Sequence, residues 1–94
     1  IHGMGAGDVV EIPTFVGRGM VRPLAIGGVP RGPLGLMQEV KAYEQLTIAA
    51  AAEGSQVKAI QALALHPLVQ DVAVAKAILD GYREGHGASF PALL

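Results

Sequence analysis

The stretch from Gly35 to Gly54 constrains the chain more than any other. Leu36, Val40, Tyr43, Thr47 and Ala51 recur at the spacing of one helical face, and Gly54 supplies a C-terminal stop. At about 100° per residue, Glu44 falls inside that face, between Val40 and Ala51 on one side and Met37 and Ile48 on the other. A buried carboxylate without a partner is costly. The expectation is therefore an anchored Glu44, paired with Arg22 or Arg31 or accepting hydrogen bonds from loop amides. A functional acid or base is the sharper alternative, and a partly exposed helix, on which the question falls away, is the third. A helix of this kind suits a larger assembly.

At 94 residues the chain is one small domain at most. A chain this short buries roughly 60–65% of its unfolded surface, so its own core is modest. Yet 51% of its residues are apolar and only 16% charged, with aromatics at 4%. Many small side chains point to helices packed closely on one another or on another subunit, which makes a self-associating or truncated module the expectation. The net charge of −1 and the lack of a basic run exclude the electrostatic footprint of nucleic-acid or anionic-lipid binding. The absence of cysteine removes disulfides and thiolate metal sites, and it fits a reducing cytoplasm. No apolar run reaches the roughly 18–20 residues of a membrane span. Ile1-His2-Gly3-Met4-Gly5 reads as a cut end, with neither an initiator methionine nor a signal-peptide pattern.

Val9 to Val16 alternates and is rich in β-branched residues, which predicts a strand, at an edge or bulged because Pro13 cannot donate to a ladder. Gly17-Arg18-Gly19 predicts a three-residue hairpin loop and Met20 to Ile26 the returning strand. A lone hairpin is marginal in water, so this one needs the helices or more strands. Gly27 to Pro33 is a loop, with Pro33 ahead of the first helix. Ser55 is a candidate N-cap for a second helix, Gln56 to Leu65, apolar almost all round and ended by His66-Pro67. Asp71 is the next N-cap. Ala75, Ile78, Leu79 and Tyr82 form the apolar stripe of a third helix, with Lys76, Asp80, Arg83 and Glu84 facing water. Gly85 or Gly87 closes it, and Ala88 to Leu94 is a tail that must dock or fray. The fold class is thus α+β, an N-terminal β-hairpin followed by three α-helices.

Little here carries chemistry. His2, His66 and His86 contain no pair at the i, i+4 spacing of a helical zinc site. His66, directly before Pro67, is placed to act at a helix end, where a positive charge favours the dipole. Gly3, Gly5 and Gly7, like Gly27-Gly28, lack the strand–glycine–helix spacing of a dinucleotide loop, and no Gly-Lys-Ser/Thr is present. Ser55 and Ser89 have no neighbouring base in sequence. No catalytic, cofactor-binding or metal-ligating residue is assigned.

The run Asp8-Val9-Val10-Glu11-Ile12-Pro13, then Pro23, Gly27 and Pro30, then Gly35-Leu36-Met37, Val40-Lys41-Ala42-Tyr43-Glu44, Leu46-Thr47, Ala50-Ala51 and Gly54, resembles the C-terminal region of glycoside hydrolase family 4. Ala62-Leu63, His66-Pro67-Leu68, Ala75-Lys76 and Leu79 continue the likeness, and Ile1-His2-Gly3-Met4 is similar to the segment that precedes the first strand there. The helix bearing Tyr43 and Glu44 is closer to the 6-phospho-β-glucosidase branch than to the α-galactosidase branch.

The resemblance implies a glycosidase that needs NAD and a divalent metal, usually manganese, where most glycosidases use two carboxylates. Hydrolysis there runs by oxidation at the sugar C3, loss of the C2 proton and elimination of the aglycone, with the cofactor carrying the hard chemistry. The family's nucleotide fold, its cysteine and histidine metal ligands and its catalytic tyrosine lie upstream of the matched region. Tyr43 and Tyr82 fall outside that catalytic motif. The resemblance therefore implies a single fragment, residues 1–94, from the end of the substrate and oligomerisation domain of a larger α/β enzyme. It would lack the nucleotide-binding domain and hold neither NAD nor metal itself. Its expected partners are the remainder of the parent enzyme and further copies in a homo-oligomer. The alternative is a stand-alone helical interaction module without catalysis.

Overall fold

A computed structural model describes residues 1–94. Two strands, β1 (Thr14–Gly17) and β2 (Met20–Pro23), precede three helices, α1 (Arg31–Glu53), α2 (Gln56–Leu65) and α3 (Val72–His86). A single 3₁₀ turn, Gly87–Ser89, follows. The hairpin-then-three-helices order is the one expected. The chain divides into two compact units, Ile1–Gly35 and Leu36–Leu94.

The first unit holds the antiparallel hairpin, in the register Thr14↔Pro23, Phe15↔Arg22, Val16↔Val21 and Gly17↔Met20. Gly17 pairs, so the loop is Arg18-Gly19 rather than the three residues expected, and Gly19 takes the positive φ of 71°. The strand predicted over Val9 to Val16 is shorter as well. Pro13 has no N–H to offer, and its carbonyl accepts from Leu24 N at 3.0 Å as the last link of the pairing. Residues 9–12 lie outside the ladder. Further back, Gly5 N donates to Asp8 Oδ2 at 2.7 Å while Asp8 N donates to Gly5 O at 3.0 Å, which closes a tight turn. No residue of this unit is buried.

α1 begins at Arg31, three residues before the start expected with Pro33 ahead of the helix. Pro30 O accepts from Leu34 N at 3.0 Å, and Pro33 sits in the first turn, where its missing N–H would have had no helical partner. At the other end Gly54 adopts φ 66° and Ser55 N donates to Ala50 O at 2.9 Å, the long bond of a Schellman closure. Ser55 then caps α2, its side chain accepting from Lys58 N at 3.3 Å. One residue thus ends one helix and starts the next.

α2 stops at His66, whose extended backbone (φ −61°, ψ 130°) is what a following proline demands. The connection to α3 includes Gln70 at φ 49°, the one non-glycine residue with positive φ. Asp71 caps α3 by accepting from Val74 N at 2.8 Å, and Gly87 closes it with its N–H on Arg83 O. α2 packs on α3. The buried core consists of Ala50, Ala62, Ala75 and Leu79. Three of these four are alanines, so the helices supply close approach and little apolar volume. α2 was expected to be buried on most sides, yet only Ala62 of it is. Val57 remains 63% exposed.

Candidate functional site

Glu44, the residue singled out by its place in an apolar face, is half-exposed, and its ion pair is local. Lys41 Nζ, one turn earlier on α1, lies 2.6 Å from Glu44 Oε2. The expected partner, Arg22 or Arg31, is replaced by this neighbour for a simple reason. Residues three apart share a helix face, and a lysine stem can lie along the apolar surface while its ammonium reaches the carboxylate. The pairing is that of an anchored surface group, with no second carboxylate or imidazole joined to it that would make an acid–base pair.

Tyr43 points its ring at His66, edge to face, with centroids 4.7 Å apart. This contact ties the middle of α1 to the end of α2. His66 Nδ1 also accepts from Leu68 N at 3.2 Å, so the imidazole takes up a backbone amide just past the end of α2. His86 stacks on Phe90 at 6.4 Å, and Tyr82 joins the same aromatic group. Ser55 serves as a cap and has no base beside it.

The feature that sequence reasoning missed is a polar clasp at the end of the helical unit. Arg83, expected to face water, turns inward. Its Nη2 donates to Gln56 Oε1 at 2.8 Å and reaches Leu93 O at 3.5 Å. Leu94 N donates to Gly54 O at 2.8 Å, and Gln56 N donates to Leu94 O at 3.1 Å. Between this tail and the helices lies an apolar recess of about 220 Å³, lined by Tyr43, Ala50, Ala62 and Leu79 from the helices and by Phe90 and Leu93 from the tail. No local sequence pattern announces it, because Gln56 and Arg83 stand 27 residues apart. A second apolar groove is lined by Leu46, Val57, Ile60, Leu65 and Val72.

Nowhere do three or more His, Cys, Asp or Glu side chains cluster so that they could hold a metal ion. Gly27, with φ 74°, and Gly28 are separated from α1 by Val29 and Pro30, so their amides do not run into a helix N-terminus as a nucleotide phosphate cradle requires. No helix is long and apolar enough to cross a membrane.

Residues 1–69 match the C-terminal domain of the family 4 glycosyl hydrolases. The chain belongs to that family. It is 42% identical over 78 residues to the phospho-alpha-glucosidase PagL of Clostridium acetobutylicum, a match covering 83% of this chain and 18% of the relative. It is 35% identical over 84 residues to a probable 6-phospho-beta-glucosidase of Bacillus subtilis, covering 89% of this chain and 19% of that one. A solved 6-phospho-alpha-glucosidase from gut microorganisms, in complex with NAD and glucose-6-phosphate, superposes with a TM-score of 0.86 at 33% identity. The match takes in 100% of this chain and 21% of that one. A second such structure, with NAD and Mn2+, gives 0.73 at 34% identity over 79% of this chain and 17% of that one. The chain therefore spans about a fifth of the length of its relatives. Relatives of both anomeric classes match this family 4 C-terminal domain.

Proposed function

We propose that this family 4 C-terminal domain is the scaffold end of a 6-phosphoglucosidase and works as part of a longer polypeptide. The observation that carries the reading is the superposition of the whole chain on a fifth of a solved 6-phospho-alpha-glucosidase. In this reading residues 1–94 belong to the substrate and oligomerisation domain. The nucleotide-binding domain, the metal ligands and the base lie outside them. NAD and manganese supply the redox and acidifying chemistry of the oxidation–elimination route. The residues present here fit neither group, since no donor cluster and no phosphate cradle is formed, so no step of the reaction is assigned to them.

What this chain contributes is surface and shape. Val16 and Val21, paired across the hairpin, are each 72% exposed, an arrangement that suits a sheet completed by neighbouring strands. The apolar groove beside Val57 and Ile60 suits a subunit contact in a homo-oligomer. The assembly is cytoplasmic in this reading, in keeping with a chain free of cysteine. The preferred substrate is the 6-phospho-β-glucoside, on the strength of the helix that carries Tyr43 and Glu44.

The test is hydrolysis of 4-nitrophenyl 6-phospho-α- and 6-phospho-β-glucosides with NAD and Mn2+, using the 94-residue chain and a longer protein that contains it. Activity in the longer protein alone, on the β-anomer, is expected. Cleavage by the short chain would overturn the scaffold role, and preference for the α-anomer would overturn the substrate reading.

A further inference from the structure

We propose that residues 90–94 form a releasable strap over the apolar recess of the helical unit, with Arg83 as its latch. The recess exists because the helices meet it with small side chains. Ala50 and Ala62 are nearly fully buried, and Leu79 is the one large side chain in its lining that is buried. Room is left for about 220 Å³, and Phe90, Pro91 and Leu93 cover it. The strap thus stands where a bound apolar segment would stand.

Its polar fastenings are few, and Phe90 adds ring contacts with His86 and Tyr82. Leu94 N donates to Gly54 O and Gln56 N donates to Leu94 O, so the strap takes up an amide of the first turn of α2 that no helical carbonyl can reach. Arg83 holds Gln56 and the Leu93 carbonyl together with one nitrogen. Gly54 leaves the space for this approach, because a Cβ there would stand 3.2 Å from Ala92 O. Little of the strap is itself covered: Phe90 and Leu93 are half-buried, and Leu94 is 98% exposed.

Lifting the strap leaves the helix ends closed. α1 ends on the Ser55–Ala50 bond, α2 starts on the Ser55 hydroxyl and α3 ends on Gly87, none of which uses residues 90–94. The strap can therefore open without unwinding the helices.

Amide hydrogen exchange on the full chain, with binding of the apolar dye ANS as a second readout, tests this. Leu94 and Gln56 amides are expected to be protected. Arg83→Ala should speed their exchange by about fivefold, the factor that a screened hydrogen bond to a charged group sets, and raise ANS emission, while Ala62 and Leu79 amides stay protected. Gln56→Ala, which removes the acceptor and spares the arginine, should do the same. Exchange of Leu94 at the rate of an unstructured peptide would overturn the proposal. So would an equal rise at Ala62 and Leu79 in both variants, or no change at Leu94 in either.

Discussion

Arg83 Nη2 lies 2.8 Å from Gln56 Oε1, and this one bond joins the last turn of α3 to the first turn of α2. The arginine is about one-third exposed, its weak pairing with Asp80 Oδ1 stretches to 3.6 Å, and the amide is its better partner. Helices with an alanine-rich seam gain little from apolar volume, so a polar tie at the seam's end carries more than its usual share.

A double-mutant cycle of Arg83→Ala and Gln56→Ala measures that tie. A hydrogen bond to a charged group contributes about 1.5–3 kcal/mol, and solvent screening at a part-exposed arginine lowers this to roughly 1 kcal/mol. Urea unfolding of the four species should give a coupling of that size. Strict additivity would mean the bond contributes nothing in solution.

Gly54 and Gly81 should respond to alanine with opposite signs. Gly54 holds φ 66° and faces Ala92 O, so Gly54→Ala is expected to cost about 1–2 kcal/mol from the left-handed backbone and to disturb the strap as well. Gly81 sits inside α3 with nothing within 4 Å of an added Cβ. Gly81→Ala should stabilise by roughly 0.5–1 kcal/mol. Thermal melts of the two variants on opposite sides of the parent check the pair.

Asp71→Ala should lower stability by about 1 kcal/mol, because Val74 N loses its acceptor at the start of α3. Asp71→Asn keeps an oxygen in the same place and should recover most of the loss. Equal melting temperatures for both variants would mean that charge, rather than the hydrogen bond, does the capping.

Helix ends were legible because each is written in adjacent residues. Ser55, Asp71, Gly54 and His66-Pro67 act within a turn of themselves, through side-chain caps, positive φ and the restriction before proline. The family was legible in the ordered run from Ile1 to Leu79. The length of β1 was half-legible: Pro13 announced a break, but whether the alternating residues before it pair depends on strands far away in sequence. Glu44 was half-legible: the salt bridge was expected, but its partner and exposure were not fixed, because helical periodicity assigns a face and leaves open how deeply that face is buried. The Arg83 clasp was not legible at all, since its two ends meet only through the packing of α3 on α2.

Glu44→Ala follows from that correction. A half-exposed i, i+3 pair is screened and costs side-chain entropy to hold, so its loss should change stability by no more than about 0.5 kcal/mol. A fall several times larger, by urea unfolding, would restore the buried-anchor reading that the apolar face suggested.

The hairpin offers the most direct check on whether this chain works inside a larger protein. Val21 pairs with Val16 and is 72% exposed, so in the 94-residue chain Val21→Lys removes little packing and should leave the melting temperature almost unchanged. In a longer protein whose strands cover that face, the same lysine would be desolvated without a partner, at a cost of roughly 2 kcal/mol or more. The expected result is a melting temperature that drops only in the longer protein. The contrast depends on the coverage of one sheet face and on no assumption about substrate, so it separates the scaffold role from the choice of sugar. An unchanged melting temperature in both would mean that no strand lies over Val16 and Val21, and the hairpin would then need another reason to expose them.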